Sequence, residues 1–170
     1  MNRKPKLLPA VLSFVFVSLL AIWGMTALSV QDALWFLPAF SKSAAYFDLY
    51  WDGEVLRVEP SSPEYDALNQ AIQEEFAHVR SYPSSAGLSD AALEDLRAEG
   101  RLLECYFDEP AMIHSRYFYG ASRTFFVPLS GHHADQHRVF NGGRGAPLEL
   151  QDTSLIMAAA EDAARADGSP

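Results

Sequence analysis

Residues 7–31 contain no charged side chain. As one helix, those 25 residues measure about 37 Å, against a hydrocarbon core of roughly 30 Å. The run is filled by Leu12, Phe14, Val15, Phe16, Val17, Leu19, Leu20 and Ile22. A span in lipid must satisfy every backbone hydrogen bond internally, and an unbroken helix does so. The run therefore predicts a transmembrane signal-anchor helix over 7–31, with the lipid bilayer as its partner.

Arg3, Lys4 and Lys6 precede the run, and no acid does. By the positive-inside bias, residues 1–6 form a cytoplasmic tail, and the rest of the chain lies outside the plasma membrane. A cleaved signal peptide is the competing expectation. Its apolar core is 7–15 residues, shorter than the run found here, and Ala27-Leu28-Ser29 is its best cleavage site. A buried core helix would need a larger domain around it than 170 residues supply. A lipoprotein anchor needs an N-terminal cysteine, and the chain's one cysteine is Cys105.

Residues 33–40, Ala-Leu-Trp-Phe-Leu-Pro-Ala-Phe, follow at once. Two expectations stand for them: an aromatic collar at the membrane–water interface, or the first piece of a domain core. Residues 41–43 read as a linker, so 32–44 form an interfacial segment and linker. The domain is expected over 45–166, and residues 167–170 fray.

From residue 45 onward there are nine Arg and no Lys against 21 Asp and Glu, a net charge of −12. This excludes a basic nucleic-acid face and disfavours an anionic lipid partner. A single cysteine excludes an internal disulfide and a Cys-based zinc site.

Asp52-Gly53 separates two β-prone runs, 46–51 and 54–59, and predicts a two-residue hairpin. That turn places Trp51 opposite Glu54, Leu49 opposite Leu56 and Phe47 opposite Val58. On the other face Tyr50 meets Val55 and Asp48 meets Arg57. Ser61 to Glu64 offers a capping box for a helix with Tyr65, Leu68, Ile72, Phe76 and Val79 on its apolar stripe. A loop over 82–87 leads to a second helix, capped by Ser89, stapled by Leu88 and Leu93, and closed by Gly100. Strands are expected over 102–107, 112–119, 123–129, 137–140 and 147–150, in an antiparallel meander. Asp152 or Thr153 starts a last helix carrying Leu155, Ile156, Ala159 and Ala163. The fold class is α+β: an antiparallel sheet packed by two or three helices, after one membrane helix.

The densest polar cluster is Gly131-His132-His133-Ala134-Asp135-Gln136-His137. Imidazole and carboxylate suit a divalent metal such as zinc. If the cluster is extended, His133, Asp135 and His137 share a face. If it is helical, His133 and His137 share one at i, i+4. His132, His133, Asp135 and His137 are thus the candidate metal ligands, in a spacing that matches no established zinc motif. The alternative is a wet hairpin loop.

Nucleophilic chemistry has thin support. Ser122 lacks a Gly-x-Ser-x-Gly elbow, Ser130 has no motif, and Cys105 sits among apolar neighbours. Residues 141–145, Asn-Gly-Gly-Arg-Gly, read as a tight turn rather than a phosphate loop. Arg116, Arg123, Arg138 and Arg144 offer a local anion site, or else partners for the surplus carboxylates. Tyr106, Tyr117, Phe118, Tyr119, Phe125 and Phe126 exceed what one sheet face needs, which leaves a partner-facing surface. The expected role is a non-catalytic interaction, sensor or accessory subunit. The alternative is a tethered metal-binding protein or hydrolase at the histidine loop.

Overall fold

The computed structural model describes residues 7–83, 87–117, 119–142 and 145–168. The basic tail 1–6, part of the loop at 84–86, Phe118, Gly143, Arg144 and residues 169–170 lie outside the described residues. The chain is α+β: an apolar N-terminal helix, then a seven-stranded antiparallel sheet with helices.

Helix α1 spans Leu7–Val30 and exposes its apolar side chains all round. Strands β1 (Tyr46–Trp51) and β2 (Glu54–Val58) form the hairpin with the expected five pairs. Asp52 and Gly53 take φ of 50° and 90°, both left-handed, as the tight turn requires. Then come α2 (Tyr65–Phe76), β3 (Val79–Ser81), α3 (Asp90–Ala98), β4 (Arg101–Ala111) and β5 (Ser122–Pro128). The one-turn helix α4 (Gly131–Asp135), β6 (Arg138–Asn141), β7 (Leu148–Leu150) and α5 (Ser154–Asp167) complete the chain.

The sheet order is β2-β1-β4-β5-β6-β7-β3. Strands β4 to β7 are the expected meander, extended by the hairpin at one edge and by β3 at the other. Alternation along β4 and β5 divides the apolar residues between two faces. Leu103, Cys105, Phe125 and Val127 face one core with Phe47, Leu49, Leu68, Ile72, Phe76 and Ile156. Leu102 and Phe126 face the other, with Phe140, Leu88, Leu93 and Leu96. Helices α2 and α5 thus cover one side and α3 covers part of the opposite side.

Four local expectations are corrected. The Ser61–Glu64 capping box does not form: α2 begins at Tyr65 with no side-chain cap, after a turn at 59–62 in which Ser62 N donates to Glu59 O at 2.8 Å and Ser62 Oγ accepts from Glu59 N at 3.1 Å. Val79 leaves the helical stripe and pairs with Leu150 as part of β3. Residues 112–117 are not a strand, because Ser115 Oγ accepts from Tyr117 N and donates to Tyr117 O, curling the backbone. Strand β4 runs on to Ala111 through Glu109-Pro110, expected as punctuation. Pro110 fits there because it lies past the last β1 partner, Tyr106, within the register shift against β5. In α5, Leu155 is exposed, while Ile156, Ala160, Ala163 and Ala164 are buried.

Candidate functional site

Three polar arrangements stand apart from the core. The first lies where α1 hands the chain to the domain. Gln31 adopts φ 55°, and Asp32 N donates back to Ala27 O at 3.1 Å, a left-handed closure of the helix end without glycine. The Trp23 indole N–H donates to Ala33 O at 3.2 Å, clamping the same turn. Buried Asp32 then works in two directions. Its Oδ1 accepts from Leu34 N at 2.8 Å, and its Oδ2 lies 2.9 Å from His114 Nδ1 on the domain.

Burial differs between the two halves of residues 33–40. Leu34, Phe36 and Leu37 are 47%, 52% and 40% exposed. Phe40 is buried against the rings of Phe76 and Phe107, as domain core. The segment read as a linker is strapped to α2: Asn69 Oδ1 accepts from Ala44 N at 3.1 Å, and Gln73 Nε2 donates to Lys42 O at 3.3 Å. The Tyr65 hydroxyl donates to Ala44 O. A cavity of about 200 Å³ opens between the two sides of this junction. Trp35, Phe36 and Leu37 line it from the exit segment, and His114, Ser115 and Arg116 line it from the domain.

The second arrangement is the histidine loop. It folds as α4, a short helix rather than an extended strand. His137, at φ 50°, closes it with its N–H on Ala134 O. His132 and Asp135 are exposed. His133 Nδ1 lies 3.2 Å from Arg138 Nη1. Arginine only donates, so His133 accepts there and carries its proton on Nε2. Burial, with the Arg138 and His132 charges, holds its imidazole below the usual range. His137 Nδ1 pairs with Thr153 Oγ1 at 2.8 Å, at the start of α5. His133 and His137 are therefore engaged with different partners. Among the described residues, no three His, Cys, Asp or Glu side chains converge to hold a metal.

The third is the polar part of the second sheet face, which sequence reasoning found only in its Asp48–Arg57 pair. Arg57 donates to both Asp48 oxygens at 2.8 and 2.9 Å and stacks over Tyr46, 4.4 Å from its centroid. Fully buried Glu104 accepts from Arg97 Nε at 2.7 Å and from the Tyr106 hydroxyl. Tyr46 and Tyr106 stack at 4.5 Å. The available signal was Glu104 itself, the one charge within residues 102–107, set between Leu103 and Cys105.

The nucleophile candidates are committed elsewhere. Ser122 Oγ bonds the Thr124 backbone at both N–H and carbonyl, and Ser130 Oγ accepts from Arg101 N at 2.9 Å. Cys105 is fully buried, and burial pushes its thiol far above the ordinary value.

Comparison with family models, with curated proteins and with solved structures finds no match.

Proposed function

We propose that this chain is a single-pass protein of the plasma membrane. Residues 1–6 stay in the cytoplasm, and the α+β domain is held against the outer membrane surface. Its role on this reading is non-catalytic: an interaction, sensor or accessory subunit. The observation that carries the reading is α1. It is long and apolar enough to cross a bilayer, and apart from Val30 at its end it is not buried in the domain. A helix apolar on every side, with no polar face for water, belongs in lipid or inside protein.

Charge supports the orientation, with +3 before the helix and −12 in the domain. The junction supports the surface placement. The exit turn is bound at Trp23 and Asp32 rather than joined through a free tether. A partner in the same membrane then meets the domain at a fixed height, and confinement raises their effective concentration.

The test is fractionation of the full-length chain, with reporters fused after Pro170. The expected result is a membrane fraction that resists alkaline carbonate, with an export-dependent phosphatase active and a cytoplasm-dependent fluorophore dark. Full-length protein in the soluble fraction, or the opposite reporter pattern, overturns the reading.

A further inference from the structure

The junction cavity has two unlike walls. One is apolar and aromatic: Trp35, Phe36 and Leu37. The other mixes polar His114, Ser115 and Arg116 with Ala77, Val79 and Tyr117. Arg116 is exposed, and its Nε donates to the Tyr117 hydroxyl at 2.9 Å, with the guanidinium 5.1 Å from the Tyr117 ring centroid. Lys42, Arg57, Arg80, Arg97, Arg101 and Arg165 each face a carboxylate within 3.5 Å. Arg116, like Arg123 and Arg138, has no carboxylate within ion-pair distance among the described residues, although the domain carries a surplus of acids; of the three, Arg116 is the one that lines this cavity. Its guanidinium is oriented instead by the Tyr117 hydroxyl and ring.

The depth of this arginine follows from α1, so the inference rests on the membrane reading above. Twenty-four residues of helix span about 36 Å, and headgroups occupy roughly 5–8 Å beyond each side of the hydrocarbon. Asp32, two residues past the helix end, touches His114 at 2.9 Å. Arg116 follows two residues later, so on that reading it stands within about one headgroup layer of the helix exit.

We propose that this cavity is a phospholipid headgroup site, in which Arg116 holds the phosphate of a zwitterionic lipid while the aromatic wall meets the upper acyl chain. A planar guanidinium presents paired donors to phosphate oxygens. A zwitterionic headgroup brings its own cation, so the domain's net −12 does not repel it. The site fixes the face that the domain turns to the membrane, which the helix alone does not.

The test uses the full-length protein in detergent micelles doped with phosphatidylethanolamine or with a phosphate-free glycolipid of equal chain length. Native mass spectrometry counts retained lipid. Wild type retains the phospholipid over the glycolipid. Arg116→Ala reduces that retention roughly tenfold, the scale of one charge-assisted contact. Tyr117→Phe, which keeps the ring and removes the orienting hydroxyl, gives an intermediate loss. Equal retention of both lipids, or undiminished retention by Arg116→Ala, overturns the site. Displacement by millimolar inorganic phosphate also overturns it, in favour of a small-anion site. Liposome flotation separates the two readings. Wild type that floats but retains both lipids equally loses the headgroup site alone, whereas wild type that fails to float removes the anchor and the site together.

Discussion

Glu75 shows how one side chain can work against its own element. Spacing places it on the apolar stripe of α2, between Ile72 and Phe76, where it is buried. Its carboxyl oxygens accept from Leu155 N at 2.7 Å and Ile156 N at 3.3 Å, so it caps the first turn of α5 from a neighbouring helix. Burial pushes its carboxyl up to about 7, against the two backbone bonds and with help from the Asp152 and Glu74 charges. His78, Glu74 and Asp152 line the cavity beside it. The fold binds this proton more tightly than the unfolded chain does. Stability is therefore lost as pH rises from about 4.5 toward 7, and the loss is complete above that. Glu75→Gln should remove this dependence and raise stability at pH 8 relative to wild type, by about 2–3 kcal/mol. Urea melts of both proteins at pH 5 and pH 8 check it, and an equal wild-type-to-variant difference at the two pH values contradicts it. Glu75 was overlooked in the sequence because its partners are backbone groups 80 residues away.

At the scale of elements, the hairpin was legible in full, because its turn and its pairing are both local. Asp-Gly set the loop length, the loop length set the register, and all five predicted pairs occur. Gly53 sits at φ 90° with Ala98 O 3.3 Å from where a Cβ would stand. Gly53→Ala should cost about 1–2 kcal/mol, read as a lower midpoint in chemical unfolding. The α3 start was also legible: Ser89 Oγ accepts from Ala92 N at 3.1 Å, and Ser89→Ala should cost about 1 kcal/mol. The Arg97–Glu104 contact was not, since it joins a helix to a strand across the second sheet face. Arg97→Met leaves a carboxylate buried without its ion partner. It should destabilise by about 3–5 kcal/mol, and Arg97→Met with Glu104→Gln should recover part of that in thermal melts. The capping box expected from Ser61 fails because the chain turns at 59–62 and the helix starts only at Tyr65, with no side-chain cap.

Across the whole molecule, the helix exit is clamped on itself by the Trp23 indole bond to Ala33 O and meets the domain through the Asp32–His114 contact. His114→Ala should loosen that joint. Chymotrypsin should then cut near Phe36 and Leu37 several-fold faster in detergent-solubilised full-length protein, while the domain's melting temperature stays near wild type. Unchanged cleavage would mean that the strap of 41–44 onto α2 holds the junction alone. An apolar run, a two-residue turn and a helical stripe are short-range patterns. They accordingly specified α1, the β1–β2 register, the α+β class and the buried rows of α2. Three other features depend on groups far apart in the chain coming together. These are the split of the sheet into two covered faces, the withdrawal of Phe40 into the core while Leu34, Phe36 and Leu37 stay outside, and the separate engagement of His133 and His137. A pattern within one segment carries no information about which distant surface it will meet, and burial and hydrogen bonding at those meetings decide the outcome.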